Sequence, residues 1–466
     1  MRATRKDTGR VRGPRAEVSS PGWAAGAWAQ GQHAGDWVLS SGRPRPSNDG
    51  TMARVVIVGS GVIGLCVAEA CRRDGHEVVV IDRQLEARDG CSFGNAGMVV
   101  PSHFVPLAAP GMVALGLKWM WNPESPFYVK PRLDAGLMRW GWHFWRASTG
   151  ERVRRAAPLI RDLSLASRQA FVDLARDGLE FGLVEKGLVM LCKTAHGLEE
   201  EARTAEQARA LGIPAEVLGP AQLARLDPDV AMDVAGGVYF PKDCHLSPAR
   251  FMGALLLRLK GAGATFRWGT EVRGWRVSSG IVTAVETRTG LVEGDEFVLA
   301  GGSWSPGTGA GLDLDLPMQA GKGYSLTLER PRQLPRICAI FTEARVAITP
   351  MGGTLRFGGT MEIAGLNEDI NPVRVRGIVK SVPGYYPAFR TEDFDGVRPW
   401  RGLRPCTPDG LPYLGRSSAH PNLVVATGHA MMGLSLAPIT GRVVADILGG
   451  RDPGMDLRLL APDRFR

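Results

Sequence analysis

The chain has 466 residues, 44% of them hydrophobic, so it can bury a large core and is expected to form two or three domains. Its net charge is +9, but residues 1–51 hold eight Arg and Lys against four Asp and Glu, so nearly half of the excess lies in that segment. This distribution argues against a nucleic-acid-binding surface. The seven cysteines form no CxxC pair and have no metal-ligand spacing, which predicts a reducing compartment and no metal site.

The first 51 residues are rich in Gly, Ser, Pro, Ala and Arg and have neither helical nor strand periodicity. We expect residues 1–51 to be disordered, or to be an extension upstream of a start at Met52. The segment lacks the continuous apolar stretch of a secretory signal.

A glycine-rich turn follows the first clear strand pattern. The run RVVIV at 54–58 is typical of a buried parallel strand, and the next residues, GSGVIG, have GxGxxG spacing. In such a unit the glycines permit a tight turn, let a pyrophosphate approach the backbone N–H groups, and allow the next helix to pack closely. The residues expected to contact a dinucleotide here are Gly59, Gly61, Val62, Ile63 and Gly64.

The segment after this turn completes the dinucleotide-binding pattern. Residues 65–73 predict a helix, and EVVVI at 77–81 predicts a second buried strand, which ends at Asp82. We expect Asp82 to accept hydrogen bonds from ribose hydroxyls and to repel a 2'-phosphate. The pattern predicts a bound dinucleotide but does not choose between FAD and NAD.

Five further blocks resemble the D-amino acid dehydrogenase family, within the larger group of D-amino acid oxidase, glycine oxidase and sarcosine oxidase. The resemblance extends over essentially all of 52–450 and implies that FAD is the cofactor. The blocks are CSFGNAGMVVPS (91–102), QAGKGYSLT (319–327), RVAITPMGGTLRFGGTME (345–362), GLRPCTPDGLPYLG (402–415) and NLVVATGHAMMGLSLAPITGRVVADIL (422–448).

The resemblance also implies where FAD is held. The turn SFGNAGM would lie beside the reactive edge of the flavin, VLAGGSWSP (298–306) near the phosphates, and Val272 at the adenine. A helix beginning near Leu434 would direct its amide groups at the pyrimidine oxygen of the flavin. The cofactor contacts expected outside the glycine-rich turn and Asp82 are Asn95, Ala96, Gly97, Met98, Val272, Gly301, Gly302, Trp304, Gly428, Gly433, Leu434 and Ser435.

Three side chains are candidates for the substrate site. Arg404 in GLRP matches the position that holds the substrate carboxylate in this group, and an Arg can bind both carboxylate oxygens. Tyr324 in KGYS is either a hydroxyl near that carboxylate or a core tyrosine. His429 either contacts the flavin and lines the pocket or is structural.

Neighbouring residues bear on substrate and cofactor. Met431 stands where glycine oxidases carry an Arg, and with Met432 it favours an apolar substrate side chain. Cys406 lies near the region where sarcosine oxidases attach flavin covalently, but the surrounding pattern differs, so we expect dissociable FAD. His245 precedes a helix opened by Ser247 and Pro248, so a role in capping that helix is favoured.

The expected fold class is α/β (α+β), with a Rossmann-like FAD-binding domain and an inserted mixed-sheet substrate domain. Strands alternate with helical patterns at 54–82 and 248–299, whereas 183–192 and 316–362 predict consecutive strands. The expected FAD-binding domain comprises 52–103, 152–176, 244–310 and 395–450, the substrate domain 104–151, 177–243 and 311–394, and the C-terminal tail 451–466.

The segment 104–145 is rich in tryptophan interleaved with Met, Leu, Lys and Arg. It predicts a helical layer over the substrate domain, or amphipathic helices that rest on a membrane interface. Its apolar run is too short to span a membrane. The tryptophans are Trp119, Trp121, Trp140, Trp142 and Trp145.

Together these features predict FAD-dependent oxidative deamination of D-amino acids to 2-oxo acids and ammonia, by hydride transfer to flavin. Electrons would pass to a quinone or dye in a cytoplasmic enzyme that can contact the inner face of the membrane. The alternatives are a D-hydroxyproline, glycine or sarcosine oxidoreductase, an NAD-dependent dehydrogenase, and a non-catalytic flavoprotein subunit.

Overall fold

The computed structural model describes residues 52–120 and 124–466, so the segment 1–51 and Trp121 lie outside the described residues. The described helices are α1 (Val62–Arg73), α2 (Met112–Met120), α3 (Ala135–Ala147), α4 (Gly150–Arg176), α5 (Ala195–Ala210), α6 (Pro220–Leu226), α7 (Pro248–Gly261), α8 (Ser305–Thr308), α9 (Pro372–Tyr385) and α10 (Ala437–Leu448).

The described strands fall into large sheets and shorter pairings. They are β1 (Arg54–Val58), β2 (Glu77–Ile81), β3 (Met98–Val99), β4 (Phe127–Val129), β5 (Leu188–Cys192), β6 (Glu216–Leu218), β7 (Gly236–Phe240), β8 (Cys244–His245), β9 (Thr265–Arg267), β10 (Val272–Ser278), β11 (Ile281–Thr287), β12 (Gly290–Glu293), β13 (Glu296–Leu299), β14 (Gln319–Leu328), β15 (Cys338–Phe341), β16 (Val346–Met351), β17 (Thr354–Ile363), β18 (Trp400–Cys406), β19 (Tyr413–Arg416) and β20 (Leu423–Thr427).

The first sheet has the order β19-β20-β13-β1-β2-β9 in the described part of the chain. Its strands are parallel except for β19, which runs antiparallel to β20. The strands are apolar because both faces are covered. Side chains of α1, α4, α7 and α10 form the core on one face, and the antiparallel β10–β11–β12 unit packs on the other.

The second sheet has the order β18-β14-β17-β16-β15-β5-β7-β6, with β4 beside β17, among the described residues. Its pairings are antiparallel apart from β15–β5 and β17–β4. Apolar side chains of α9, including Ile378 and Val382, pack with Tyr324 and Phe357 on one face. These two sheets confirm the predicted fold class.

Two helix starts and one order of elements expected from the sequence were wrong. Helix α1 begins at Val62, three residues earlier than expected. The stretch 248–299 contains α7 and then β9 to β13 rather than alternating helices and strands, because Gly280 (φ +80°) and Gly290 (φ +123°) form tight turns between antiparallel strands. Helix α10 begins at Ala437 and not near Leu434, with Pro438 in its first turn, where proline fits a helix best.

Two segments differ from their expected domain assignment. Strand β18 was expected in the FAD-binding domain but pairs with β14 in the second sheet. Residues 451–466, expected as a tail, pack on the fold: Arg464 forms a buried ion pair with Asp409, and Phe465 contacts the ring of Tyr413. The other domain boundaries remain predictions.

The tryptophan-rich segment attaches to the second sheet. Strand β4 pairs with β17, and the buried Trp140 of α3 donates a hydrogen bond from Nε1 to the carbonyl of Cys406 at 2.9 Å. Trp142 and Trp145 are exposed on the same helix. In the residues that the structure describes, no helix combines the length and apolar composition needed to cross a membrane.

Candidate active site

The glycine-rich turn after β1 has the geometry that a dinucleotide phosphate requires. Gly59 has φ +111°, and a β-carbon there would overlap the carbonyl of Ala300. A β-carbon at Gly64 would overlap the carbonyl of Gly59, whereas one at Gly61 would meet nothing closer than Ser92 Oγ at 3.8 Å. Helix α1 starts here with no side-chain bond from its N-cap Gly61 and no acidic residue in its first turn. Apart from Val62 N, which donates to Ser92 Oγ, the N–H groups of its first turn are available to an anion.

Asp82 lies at the end of β2 beside this turn. Its Oδ2 accepts hydrogen bonds from the backbone N and Oγ of Ser60 at 2.8 and 2.5 Å, and its Oδ1 accepts one from Gln84 N at 2.8 Å. A carboxylate offers about four acceptor positions, so room remains for a ribose hydroxyl.

Two predicted cofactor contacts, Val272 at the adenine and Trp304 near the phosphates, lie close to Asp82. The amide of Thr270 donates to the Asp82 carbonyl at 2.8 Å, which brings the start of β10 at Val272 to this edge. The guanidinium of the next residue, Arg83, lies 3.9 Å from the ring centroid of Trp304. The structure therefore brings Asp82, Val272 and Trp304 to one end of the site.

The carboxyl ends of parallel strands form the middle of the site. A β-carbon at Gly59 would lie 3.2 Å from the Cα of Gly301, so the absence of a side chain at Gly59 lets the two turns approach closely. Thr427 Oγ1 donates to the carbonyl of Gly302 at 3.1 Å. Gly302 and Gly428 have φ of +57° and +78°, which favour glycine. These turns follow β1, β13 and β20 at the edge where open α/β sheets bind their ligands.

The flavin loop, which we define as residues 89–97, lies between the start of α1 and the second sheet and contacts both. Val62 N donates to Ser92 Oγ at 3.1 Å, which ties the loop to the start of α1. Asn95 Oδ1 accepts from Gly97 N at 2.8 Å, and Gly97 has φ +75°. A β-carbon at Gly97 would overlap the carbonyl of Leu246, so this turn requires glycine.

On the sheet face toward this loop, β14 and β18 have glycines at two opposed positions, which leave backbone on which neighbouring side chains can lie. Gly323 pairs with Gly402 in the register of the two strands. A β-carbon at Gly402 would overlap the indole of Trp400, and one at Gly323 would overlap the guanidinium of Arg404. Both side chains therefore lie flat on backbone, on the sheet face that Gly323 and Gly402 share.

Arg404 is half-buried and its guanidinium makes few contacts. Its Nη1 donates to the carbonyl of Thr360 at 2.6 Å, and it forms no ion pair with any described residue. Thr360 has φ +70°, which is rare for a β-branched residue, and it lies near a β-bulge between β14 and β17. Burial raises the pKa of the Cys91 thiol in the flavin loop to about 11, and the charge of Arg404 opposes that rise.

Tyr324 does not reach the Arg404 face. Strand alternation directs it to the opposite face from Gly323, where its hydroxyl donates to Glu362 Oε2 at 2.8 Å and accepts from Asn371 N at 3.2 Å. Burial and the bond to Glu362 raise the pKa of this hydroxyl. A role beside the substrate carboxylate does not fit these contacts, whereas the core-tyrosine interpretation does.

His429 lies at the end of β20, bridged through its backbone to Cys406, two residues after Arg404. Its Nε2 lies 3.0 Å from Thr440 Oγ1, and its Nδ1 is buried without a hydrogen-bond partner among the described residues. Burial lowers the pKa of His429 to about 3, so the ring is neutral. An orphaned nitrogen at this position fits a ligand group that supplies the missing partner.

The segment after His429 closes the site behind the flavin loop. Ser435 Oγ accepts from Val100 N at 3.0 Å, and Leu434 is buried. Gly433 is close to His429, since a β-carbon there would lie 3.7 Å from the His429 Cβ. Met432 packs against buried residues near the loop, whereas Met431 is 47% exposed, so only Met432 lines the interior.

His245 was expected to have a capping role. Ser247 is the N-cap of α7 and Pro248 its first residue, as the sequence predicts, but the Ser247 side chain makes no capping hydrogen bond. His245 itself pairs with Met98 between β8 and β3, and burial lowers its pKa to about 4. It is a buried neutral strand residue beside the flavin loop.

Sequence reasoning missed several residues that contact the flavin loop, among them Arg356 and Trp400. Arg356 donates from Nη1 to the carbonyls of Phe93 and Asn95, and Trp400 donates from Nε1 to the carbonyl of Asp89 at 3.0 Å. The period of two along β18 places Trp400 on the same face as Arg404 and was available as a signal. The contacts of Arg356 join distant segments and have no local signal.

A cleft of about 690 Å³ opens beside the flavin loop. Its walls combine aromatic rings with cations, and they include Arg88, Phe93, Gly94, Ser325, Arg356 and Trp400.

Comparison with known proteins agrees with this geometry. The sequence model of the family described as FAD dependent oxidoreductase matches residues 54–447. A D-amino acid dehydrogenase from Cereibacter sphaeroides is 35% identical over 423 residues, which cover 88% of this chain and 96% of that protein. A D-amino acid dehydrogenase from Methylobacterium radiotolerans is 35% identical over 418 residues, with coverage of 88% and 99%.

Solved structures share the fold. Glycine oxidase from Geobacillus kaustophilus superimposes with a TM-score of 0.70 at 26% identity, covering 89% of this chain and 99% of that one. L-Proline dehydrogenase from P. horikoshii gives a TM-score of 0.66 at 18% identity, covering 90% and 98%. The second likeness is informative about the fold alone.

Proposed function

Since this chain belongs to the family of FAD dependent oxidoreductases, we propose that it oxidises D-amino acids to 2-oxo acids and ammonia. The support is 35% identity to D-amino acid dehydrogenases over nearly their whole length, combined with a site whose residues fit FAD. When bound, FAD supplies the two-electron acceptor for the substrate α-hydrogen.

The observation that carries this proposal is the position of the Arg404 guanidinium and its lack of an ion-pair partner in the described chain. The guanidinium lies on glycine backbone beside the flavin loop, has one backbone acceptor and no carboxylate partner in the described chain. A half-buried guanidinium without a counter-charge is suited to bind a carboxylate through two parallel hydrogen bonds. We assign Arg404 to the α-carboxylate of the amino acid.

The other residues of the site would orient the substrate and keep charge away from it. Burial raises the pKa of the Cys91 thiol to about 11 and that of Cys406 to about 12, and it keeps His429 neutral. Arg404 therefore provides the charge that these neighbours do not. Alignment by such a clamp lowers the entropic part of the barrier, and the amine lone pair assists without a dedicated base.

We assign the cofactor contacts to the residues predicted from sequence. The glycine turn and α1 would hold the pyrophosphate with Trp304 near the phosphates, Asp82 would hold the ribose, and Val272 would hold the adenine. Asn95 to Met98 would lie against the flavin, and His429 Nδ1 would find its missing partner on the cofactor or substrate.

Met432 favours an apolar substrate side chain over glycine. The interior lining near the flavin loop includes Met98, Val100 and Met432, which are flexible and apolar. Glycine oxidation is the second candidate, because the glycine oxidase structure has 26% identity and a TM-score of 0.70. We expect turnover to rise from glycine to apolar D-amino acids.

For the electron acceptor, we propose a quinone delivered at a membrane surface. On α3, Met138, Trp142 and Trp145 recur at positions i, i+4 and i+7 and are 63%, 55% and 58% exposed. Arg146 and Arg152 lie nearby: burial is the main cause that lowers the pKa of His143, and the charges of Arg139, Arg146 and Arg152 lower it further. An apolar stripe flanked by cations suits an anionic membrane interface.

One experiment tests the reaction and the acceptor together. The flavin spectrum is followed anaerobically while single D- and L-amino acids, glycine and D-proline are added. Bleaching by apolar D-amino acids, followed by faster reoxidation with a soluble quinone than with air-saturated buffer, is expected. Bleaching by glycine alone would contradict the substrate class, and peroxide formation as fast as quinone reduction would contradict the acceptor.

A further inference from the structure

The flavin loop is held to the second sheet through three consecutive carbonyl groups. Arg356 Nη1 donates to the carbonyls of Phe93 at 3.2 Å and Asn95 at 2.8 Å, and Ser325 Oγ donates to the carbonyl of Gly94 at 3.0 Å. The loop thus presents every carbonyl from 93 to 95 to the sheet.

The direction of these carbonyls determines the direction of the adjacent amides. In a trans peptide the C=O and the following N–H point in opposite directions, and no cis peptide occurs among the described residues. Because Arg356 holds the carbonyls of Phe93 and Asn95, the N–H groups of Gly94 and Ala96 point away from its guanidinium.

These two amides differ from the third amide of the same stretch. The N–H of Asn95 donates to the carbonyl of Ser92 at 3.4 Å. Neither Gly94 N nor Ala96 N donates a hydrogen bond to any described residue, although Gly94 is buried. Buried N–H groups are nearly always paired, so an acceptor from outside the described residues is expected opposite Gly94 N, and the half-buried Ala96 N is open to the same acceptor.

We propose that Arg356 is a positioning residue for the cofactor: its hydrogen bonds to the carbonyls of Phe93 and Asn95 direct the N–H groups of Gly94 and Ala96 toward FAD. The inference rests on FAD binding in the proposed function and is independent of the amino acid oxidised. Two amide donors aimed at the flavin stabilise negative charge on the ring and so raise its reduction potential.

Arg356 is itself fixed in place. Its Nε donates to Thr327 Oγ1 at 3.1 Å on the neighbouring strand β14. Gly358 lies two residues further along the same face of β17 and leaves room for Ala96, since a β-carbon at Gly358 would lie 3.8 Å from the Ala96 Cβ. The planar guanidinium of Arg is required because Nε bonds Thr327 while Nη1 meets both loop carbonyls, so that one side chain serves three acceptors. A lysine at 356 would keep the charge but would not reproduce the planar guanidinium.

The test compares Arg356→Met and Arg356→Lys with Ser325→Ala in the full-length holoenzyme. Ser325→Ala is a matched control because it also removes one hydrogen bond between the sheet and the loop, the one to the carbonyl of Gly94. The amide that follows this carbonyl, Asn95 N–H, already donates to the carbonyl of Ser92. The readouts are the FAD retained at equilibrium after serial dilution and the midpoint potential of bound flavin.

We expect the FAD dissociation constant of Arg356→Met to rise on the order of tenfold, since the hydrogen bonds of two amides are affected. Arg356→Lys should show a smaller change in the same direction, and both should lower the flavin midpoint potential. Ser325→Ala should retain wild-type FAD affinity and potential. If Arg356→Met does not fold, the comparison of Arg356→Lys with Ser325→Ala decides.

Equal losses in the Arg356 variants and Ser325→Ala would overturn the proposal, because a simple clamp on the loop would act that way. Wild-type affinity and potential in the Arg356 variants would also overturn it. Wild-type protein that holds no FAD would overturn both this inference and the proposed function. Wild-type protein that holds FAD but oxidises no D-amino acid, with the expected variant pattern, would support the inference and contradict only the proposed function.

Discussion

The guanidinium of Arg404 lies on the backbone of Gly323, in the space that a side chain at position 323 would occupy. The residue that we assign to substrate binding is therefore placed by the absence of a side chain on the neighbouring strand.

The first prediction follows from this contact. Gly323→Ala should push the Arg404 guanidinium away from its bond to Thr360 and lower kcat/KM for D-amino acids by at least about tenfold, because bidentate geometry is lost. FAD absorbance should stay normal. Gly253→Ala in α7 is the control, since a β-carbon there meets nothing within 4 Å. Normal kinetics for Gly323→Ala would mean that the guanidinium is not held by this surface.

The second prediction concerns Arg404 itself. Removing one partner of a buried charge-assisted pair costs about 2 to 5 kcal/mol, so Arg404→Met should lower kcat/KM by at least about 30-fold. Arg404→Lys should recover little, because a lysine cannot bind both carboxylate oxygens in one plane. Steady-state kinetics with a dye acceptor measure the effect, and Arg336→Met, which removes an exposed pair with Asp229, is the control. A kinetically normal Arg404→Met variant would reject the assignment.

Asp82 provides a third prediction. Asp82→Ala should weaken FAD retention by about tenfold, because it removes the acceptor expected for the ribose and also the bonds that hold the Ser60 turn. FAD remaining after dialysis is measured by absorbance, together with the melting temperature. Undiminished FAD occupancy would count against the ribose assignment.

A fourth prediction concerns pH. Burial lowers the pKa of His429 to about 3, whereas an unfolded histidine has a pKa near 6.5. Between these values the unfolded chain binds the additional proton, so this group lowers the free energy of unfolding as pH falls below 6.5. At pH 5 the loss relative to pH 7.5 is about 2 kcal/mol.

The variant His429→Gln isolates that effect, since glutamine can still bond Thr440 but does not titrate. Unfolding of wild type and variant is compared at pH 7.5 and pH 5. The wild type should lose more stability than the variant on acidification, and parallel losses would show that His429 is not held neutral.

The fifth prediction tests the membrane contact. The double variant Trp142→Ser with Trp145→Ser should bind anionic phospholipid vesicles more weakly than wild type in a co-sedimentation assay, because two exposed rings are lost. Leu257→Ser is the control, as Leu257 is 73% exposed on a different helix, α7. Equal sedimentation of all three proteins would remove the support for delivery of quinone at a membrane.

Local patterns were sufficient for part of the site. The β1–α1–β2 unit, with Gly59, Gly64 and Asp82, was predictable because its residues are close in sequence. Gly59 and Gly64 are required by the local backbone, which leaves no room for a β-carbon at either position. The strands around 316–362 were predictable from their pattern, and so was Arg404 from its motif. Tyr324 was ambiguous because a strand residue can face either side, and only the sheet register decides which.

The sequence by itself therefore determined the fold class, the dinucleotide motif and the family resemblance, because each depends on residues read in order along short segments. Only the tertiary structure decided which side chains meet. It placed Arg404 on Gly323, turned Tyr324 to Glu362 on the opposite face, and brought Arg356 to the carbonyls of the flavin loop across 261 and 263 residues of chain. Those contacts depend on strand pairing and loop closure between distant segments, and no local pattern specifies them.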